Sequence, residues 1–348
     1  MNISDMTDEM RLIADSAFEF TTGSGGLARA RAVRDKWPHF DKETWEQIAD
    51  LGWLGVAVPE KSQGLGLGVR AVCTLLESVS RKLLPEPLVP ALASAAFLAD
   101  AGAAEARGLL ADLMEGRKLV VMCAARASGS FPLRLANVPD CHSGATVLVA
   151  QGEGNQFDVR AIVPGGDGCA IRSAACVDGS TLSEIVVQQQ EWSRAVRVAA
   201  GMQAQQAWEK ACDMMLLGDS AYLVGLMDAA LQMAIDYMKM RKQFNTPIGA
   251  FQALQHRAAT AHIDVVASRA LVVEACRAFD TPSRARAACA AKARASAAAL
   301  RVTKECIQFH GAIGFADEHD IGLFLRRAMA VASRQGGEMA QKLRYGAL

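Results

Sequence analysis

The stretch from Tyr237 to Gln255, YMKMRKQFNTPIGAFQALQ, is the tightest constraint on this chain, because it joins two long helical patterns through a short corner. Ahead of it Leu223, Leu226, Met227, Ala230, Leu231, Ala234, Tyr237 and Met238 recur at steps of three and four, the spacing that lines one face of a helix. Basic residues close that helix, as suits the negative end of its dipole, and Pro247 and Gly249 break it.

The corner also carries chemistry. Arg241 can fork onto a phosphate and Phe244 can lie against a flat ring, and with Gln252 and Gln255 following they form a compact site for an anionic, flat ligand. The same residue types serve equally as a helix cap and a core filler.

Length and composition bound the rest. A chain of 348 residues, 51% apolar, has material for two or three domains and a sizeable core. Lys plus Arg and Asp plus Glu stand at 37 each, so no net field favours nucleic acid or an anionic membrane surface. The nine Cys form no C-x-x-C pair and no zinc-type spacing, which leaves no metal expected and reads as reduced thiols of a cytoplasmic protein. Met1 to Met10 holds Asp5, Asp8 and Glu9 and no apolar segment, unlike a secretory signal. No uninterrupted apolar run reaches the roughly 18 to 20 residues that span a bilayer.

Three parts are expected in order. Residues 1–118 read as helices, among them Thr44–Leu51 and Val69–Leu83, separated by the glycine-rich run from Gly52 to Gly68. That run lacks a P-loop Lys and reads as a connector between helices. Residues 119–191 read as a small β-domain, with candidate strands at 119–124, 145–150, 157–163 and 184–187. Residues 192–348 return to helix, and the alanine-rich segment 285–299 lets neighbouring helices approach closely, as in a four-helix bundle.

Several strings resemble the signatures of one family, the acyl-CoA dehydrogenases, flavoproteins that desaturate acyl-CoA thioesters between Cα and Cβ. Arg241-x-Gln243-Phe244-x-x-Pro247-Ile-x-x-Phe251-Gln252-x-x-Gln255 matches its corner motif, and Gln308-x-x-Gly311-Ala312-x-Gly314-Phe315 matches a second string, with Ala312 where the family has Gly. The glycine-rich run and Leu83-Leu-Pro-Glu-Pro-Leu88 resemble the family's N-terminal helical domain. The resemblance implies a mainly α fold: an N-terminal helical domain, a central β-barrel or sandwich and a C-terminal four-helix bundle. It also implies FAD as cofactor and an acyl-CoA substrate. The ADP half of the FAD would be gripped by Arg241, Gln243, Phe244, Gln252, Gln308, Gly311 and Ala312 on behalf of a neighbouring subunit.

Other segments depart from that pattern. The family usually places its catalytic Glu nine or so residues after R-D-A; counting from Arg326-Arg327-Ala328 puts Gln335 there, and an amide cannot accept a proton at neutral pH. Some branches take the base from the helix before the corner, where Met215 falls. The nearby carboxylates Asp213 and Asp219 read first as solvated surface groups, with either as a displaced base and Glu338 as a weaker candidate. The flavin-facing segment is represented by Cys123 to Phe131, with Arg126 for Glu and Phe131 for Asp. The second flavin segment has no counterpart: residues 130–145 look too short for its strand pair, and Trp192 comes too late.

These features imply a subunit that keeps the donated ADP-binding half and lacks its own ring cradle and base. It would complete the FAD site of a paralogous subunit in a heterotetramer of the kind used in steroid catabolism. A self-sufficient homotetramer with a displaced carboxylate and a flavin-free scaffold are the alternatives. An electron-transfer flavoprotein is implied as electron acceptor by the resemblance alone.

Overall fold

The computed structural model describes residues 7–36, 41–127, 130–142 and 144–348, so Ser128 of the flavin-facing segment lies outside the described residues. Helices α1 (Asp8–Gly23), α2 (Gly26–Val33), α3 (Lys42–Asp50), α4 (Gly68–Val79), α5 (Leu88–Ala101) and α6 (Ala104–Met114) come first. Strands β1 (Val120–Met122), β2 (Leu133–Pro139), β3 (Thr146–Gln151), β4 (Asp158–Ile162), β5 (Cys169–Ala175) and β6 (Thr181–Val187) follow, then the short α7 (Gln189–Arg194) and β7 (Val196–Ala200). The chain ends in α8 (Gly201–Met240), the hairpin β8 (Lys242–Gln243) and β9 (Thr246–Pro247), α9 (Gln252–Arg277), α10 (Arg284–His310), α11 (Ile321–Ser333) and α12 (Gly337–Ala347). The fold is thus mainly α with a small β region.

The chain divides into two compact units. One holds residues 33–72 and 85–215. Its helix α3 begins where the Asp41 carboxylate accepts the Thr44 N–H at 2.7 Å. The glycine-rich run closes on itself: the N–H groups of Gly64, Leu65, Gly66 and Leu67 donate to Pro59, Gly55, Val58 and Val56 carbonyls. A Cβ at Gly64 would overlap the Val58 carbonyl, so the glycine serves close packing and these donors are not free for a phosphate.

Two sheets follow in this unit. The first has the order β1-β3-β4-β7, with β1 parallel to β3 and the other pairs antiparallel; the second is antiparallel in the order β2-β6-β5. The fully buried Trp208 of α8 meets Phe97 edge-on at 5.2 Å and Phe157 at 6.4 Å, joining α5, α8 and the residue before β4 in one core.

The four expected strands form, but β2, β5 and β7 were not expected. β2 occupies the segment that looked too short, because it pairs with the distant β6 and needs no local partner, and a register shift between Leu135 and Val138 masks its alternation. β5 is mostly exposed and built from small and polar residues, which hides it from a propensity reading. β7 follows the short α7 and pairs with β4, so the long C-terminal helices begin at Gly201.

The other unit holds residues 1–32, 73–84 and 216–348. Here α10 packs against α9, α11 and α12, and the alanines at 288, 291, 295, 298 and 299 are buried along it. Gly225 of α8 faces the Glu77–Ser80 segment so closely that a Cβ would overlap the Glu77 carbonyl. Helix α8 is 40 residues long, and by length and composition it could cross a membrane; 89% of its most apolar window is buried inside the protein.

Candidate functional site

Helix α8 ends at Met240, and the corner that follows is a hairpin, not an irregular loop. Lys242 pairs with Pro247 and Gln243 with Thr246, and the Ile248 N–H donates to the Arg241 carbonyl at 2.8 Å. The two turn residues, Phe244 (φ 51°) and Asn245 (φ 59°), both take the left-handed conformation of a two-residue hairpin. For Asn this is common; for Phe it costs about 1 kcal/mol or more. Phe244 is also 92% exposed, with Phe251 edge-on at 6.5 Å as its aromatic neighbour among the described residues. Neither packing nor backbone preference therefore explains an aromatic residue here.

The residues around it share that exposure. Arg241, Gln243, Gln252, Gln308 and Ala312 are all exposed, and Gly311 is half-buried. The Arg241 guanidinium has no hydrogen-bond or ion-pair partner among the described residues, whereas Gln243 donates to the Lys242 carbonyl and Gln255 to the Gly249 carbonyl. Gly311 (φ 64°, ψ −139°) leads out of α10, and a Cβ there would meet no atom within 4 Å, so its backbone faces open space. An unpartnered guanidinium, an outward ring and an unobstructed glycine backbone fit a phosphate-bearing, aromatic ligand such as the ADP half of FAD.

The two positions considered for a base meet inside the same unit. Gln335 sits at a kink between α11 and α12 with φ 58°. Its Nε2 donates to Asp219 Oδ2 at 3.1 Å, and its carbonyl accepts from Gln341 Nε2 at 2.6 Å. Asp219 is 1% exposed and Asp213 is equally buried, which corrects the expectation of solvated carboxylates. Helix α8 is buried on every side over this stretch, so the one-face pattern read for its later turns does not extend back to them.

Facing Asp219 is Lys292, fully buried, with Nζ 3.5 Å from Asp219 Oδ2 and donating to the Val331 carbonyl at 2.6 Å. Burial pushes the Lys292 pKa below its ordinary value, Asp219 opposes that shift and Arg334 adds to it. Arg334 approaches the other carboxylate oxygen at 4.0 Å. A carboxylate already matched by an ammonium and an amide holds helices together and is poorly placed to take a proton from carbon. Glu338 pairs with Lys342 at 2.6 Å on the surface of α12. Lys292 escaped the sequence reading, although a lone Lys inside an alanine run with alanines at 288, 291, 295 and 299 was a visible sign of a buried charge.

In the other unit, Arg126 pairs with Glu153 at 3.5 Å, and Phe131 packs on Trp192 at 6.4 Å. Trp192 in turn lies under Arg160, 5.1 Å from the ring centre. The residues standing for the flavin-facing Glu and Asp are thus engaged with protein side chains.

Known proteins share this sequence pattern and fold. Residues 7–117 match the acyl-CoA dehydrogenase N-terminal domain and residues 196–343 the acyl-CoA dehydrogenase C-terminal domain. The acyl-CoA dehydrogenase IpdE2 of Mycobacterium tuberculosis is 27% identical over 329 residues, covering 92% of this chain and 91% of that protein. A variant of the Tcur3481-Tcur3483 steroid ACAD superposes with a TM-score of 0.87 at 26% identity, covering 98% of this chain and 97% of that one. The ChsE4-ChsE5 complex from Mycobacterium tuberculosis shows the same fold, with a TM-score of 0.86 at 22% identity over 98% of this chain and 97% of its own. This chain belongs to the acyl-CoA dehydrogenase family of oxidoreductases.

Proposed function

We propose that this chain is the cofactor-donating subunit of a heteromeric, FAD-dependent acyl-CoA dehydrogenase. The observation that carries the reading is Phe244, a 92% exposed ring on a left-handed turn beside the unpartnered Arg241. Arg241 would fork onto the pyrophosphate, Phe244 would lie along the adenosine side, and Gln252, Gln308 and the Gly311–Ala312 backbone would complete the contact. When bound, FAD supplies the acceptor for the β-hydride. The carboxylate that removes the α-proton would come from the other subunit, because Gln335 cannot accept a proton and Asp219 is matched by Lys292.

Two relatives support the paired reading and the substrate class. One superposable structure is named as a complex of two proteins, and another carries a two-protein name with the words steroid ACAD. A steroid-derived acyl-CoA thioester is therefore the substrate class we assign, with an electron-transfer flavoprotein as acceptor.

The test is the visible spectrum of the purified chain supplied with FAD, alone and after co-expression with the nearest acyl-CoA dehydrogenase gene. Flavin retained only in the co-expressed complex supports the reading. Stoichiometric flavin and turnover in the chain alone would replace it with a self-sufficient enzyme; no flavin in either sample would leave a scaffold.

A further inference from the structure

Beneath the corner lies an aromatic stack that the proposed chemistry leaves unused. Tyr237, in the last turn of α8, stacks on His310 at the end of α10, with centroids 4.5 Å apart and planes 26° from parallel. His319 packs against both, 4.5 Å from His310 and edge-on to Tyr237 at 6.4 Å. The rings therefore tie the helix that leads into Arg241 to the helix that carries Gln308 and to the segment after Gly311. The Arg241 N–H donates to the Tyr237 carbonyl at 2.8 Å, so the corner hangs from a member of the stack.

The hydrogen bonds fix the protons. His310 Nδ1 lies 2.7 Å from the Cys306 carbonyl, which can only accept, so Nδ1 carries the hydrogen. His310 Nε2 is buried without a hydrogen-bond partner among the described residues, in a residue only 3% exposed. His319 Nδ1 accepts the Ile321 N–H at 3.1 Å, which places the hydrogen of its neutral ring on Nε2. A second proton on His310 would create a buried N–H with no acceptor beside another imidazole.

The ionisable groups around the stack offer no relief. Tyr237 faces it from α8 and His319 from the following segment. On α10, the Cys306 thiol is pushed up to about 12 by burial and by Glu305, and Glu305 itself is bound by Arg257 of α9 at 2.8 Å. Of the loop carboxylates, Asp317 is committed to Arg326 of α11 at 2.6 Å and Asp320 to Arg31 of α2 at 2.7 Å, while Glu318, next to His319, is exposed to solvent. Burial lowers the pKa of His310 and His319 lowers it further, against the contrary pull of the Cys306 carbonyl.

We infer that Tyr237, His310 and His319 form a strut that sets Arg241 against the Gln308–Ala312 turn, and that the strut holds only while His310 is neutral. Acid then loosens both elements together. The consequence for FAD rests on the cofactor-donating role proposed above.

Hydrogen–deuterium exchange of the full chain, at about pH 7.5 and about pH 5.5, tests this. After correction for intrinsic rates, peptides spanning 237–251 and 305–320 should lose protection by about tenfold per pH unit of unequal protonation, while the other helices keep theirs. His310→Phe, which keeps a stacking ring and removes the titration, should abolish that difference. Should His310→Phe fail to fold, His319→Gln removes the neighbouring charge, brings the His310 pKa back toward its ordinary value and should shrink the loosening between the two pH values. Protection unchanged between the two conditions, or lost equally in His310→Phe, overturns the strut. FAD retention in the co-expressed complex should follow the same pH profile and lose it in His310→Phe. Loosening without any change in FAD retention would uphold the strut and sink the cofactor role of the corner.

Discussion

Gln335 donates a 3.1 Å hydrogen bond to the carboxylate of Asp219, so the two positions from which a base was sought are bound to each other. Lys292 closes the group from α10 with an ion pair of 3.5 Å. The arrangement makes this region a fastening of α8, α10 and the α11–α12 kink.

Removing one member of that fastening should be costly. Lys292→Met leaves the Asp219 charge buried and should destabilise the chain by about 3–5 kcal/mol in denaturant unfolding. Adding Asp219→Asn to it should recover part of the loss, giving a coupling energy in a double-mutant cycle. Additive effects would show that the two groups do not stabilise each other.

Gln335→Glu should not create an acyl-CoA dehydrogenase in the chain alone. It sets a second carboxylate beside Asp219, and like charges this close force one group to keep its proton. Relative to the parent, the variant should lose about 1–3 kcal/mol as pH rises past about 4.3, the ordinary Glu value, because the unfolded chain releases that proton more readily. Unfolding curves across pH, with an acyl-CoA turnover assay, check both statements.

Arg241→Ala should weaken FAD retention in the co-expressed complex by about 2 kcal/mol or more, the scale of a truncated charge-assisted hydrogen bond. Its own melting temperature should barely move, since the guanidinium is exposed and unpartnered. Flavin titration and calorimetry separate the two effects.

Gly225→Ala should lower stability by about 1–3 kcal/mol or more, since its Cβ would overlap a backbone carbonyl that cannot rotate away. A neutral outcome in thermal unfolding would mean that the Glu77–Ser80 segment yields freely.

Acid should weaken the chain through its histidines. Burial lowers the pKa of both His142 and His310 in the folded state. Their contribution is complete above about pH 6.5 and is lost as pH falls below it, because the unfolded chain then binds more protons. Thermal midpoints measured from about pH 7.5 down to about pH 5 should fall, and fall less in His310→Phe.

Much of this was legible in the sequence because local rules and tertiary packing agree. Pro247 and Gly249 mark the corner, Gly52 marks the end of the helix read from Thr44 to Leu51, and the alanines of α10 announce a closely approached helix. The unexpected features are those set by distant partners. β2 depends on β6 from about fifty residues away, and nothing in its own residues announces that pairing. Asp219 read as a surface group because acidic residues are rarely buried unpaired, and its partner Lys292 lies on another helix. The left-handed turn at Phe244 was hidden for the opposite reason, since a ring in that conformation contradicts local preference.

The bond between Gln335 and Asp219 also bears on evolution. From a chain with Gln at 335 and a carboxylate at 219, a single reversion to Glu lands on a neighbour of the same charge. Placing a carboxylate base at 335 would therefore require at least two coordinated substitutions, the first of which is a loss. Under the pairing proposed above, such a step, once fixed, is held in place by the packing around it, and the dependence on a second subunit becomes hard to undo.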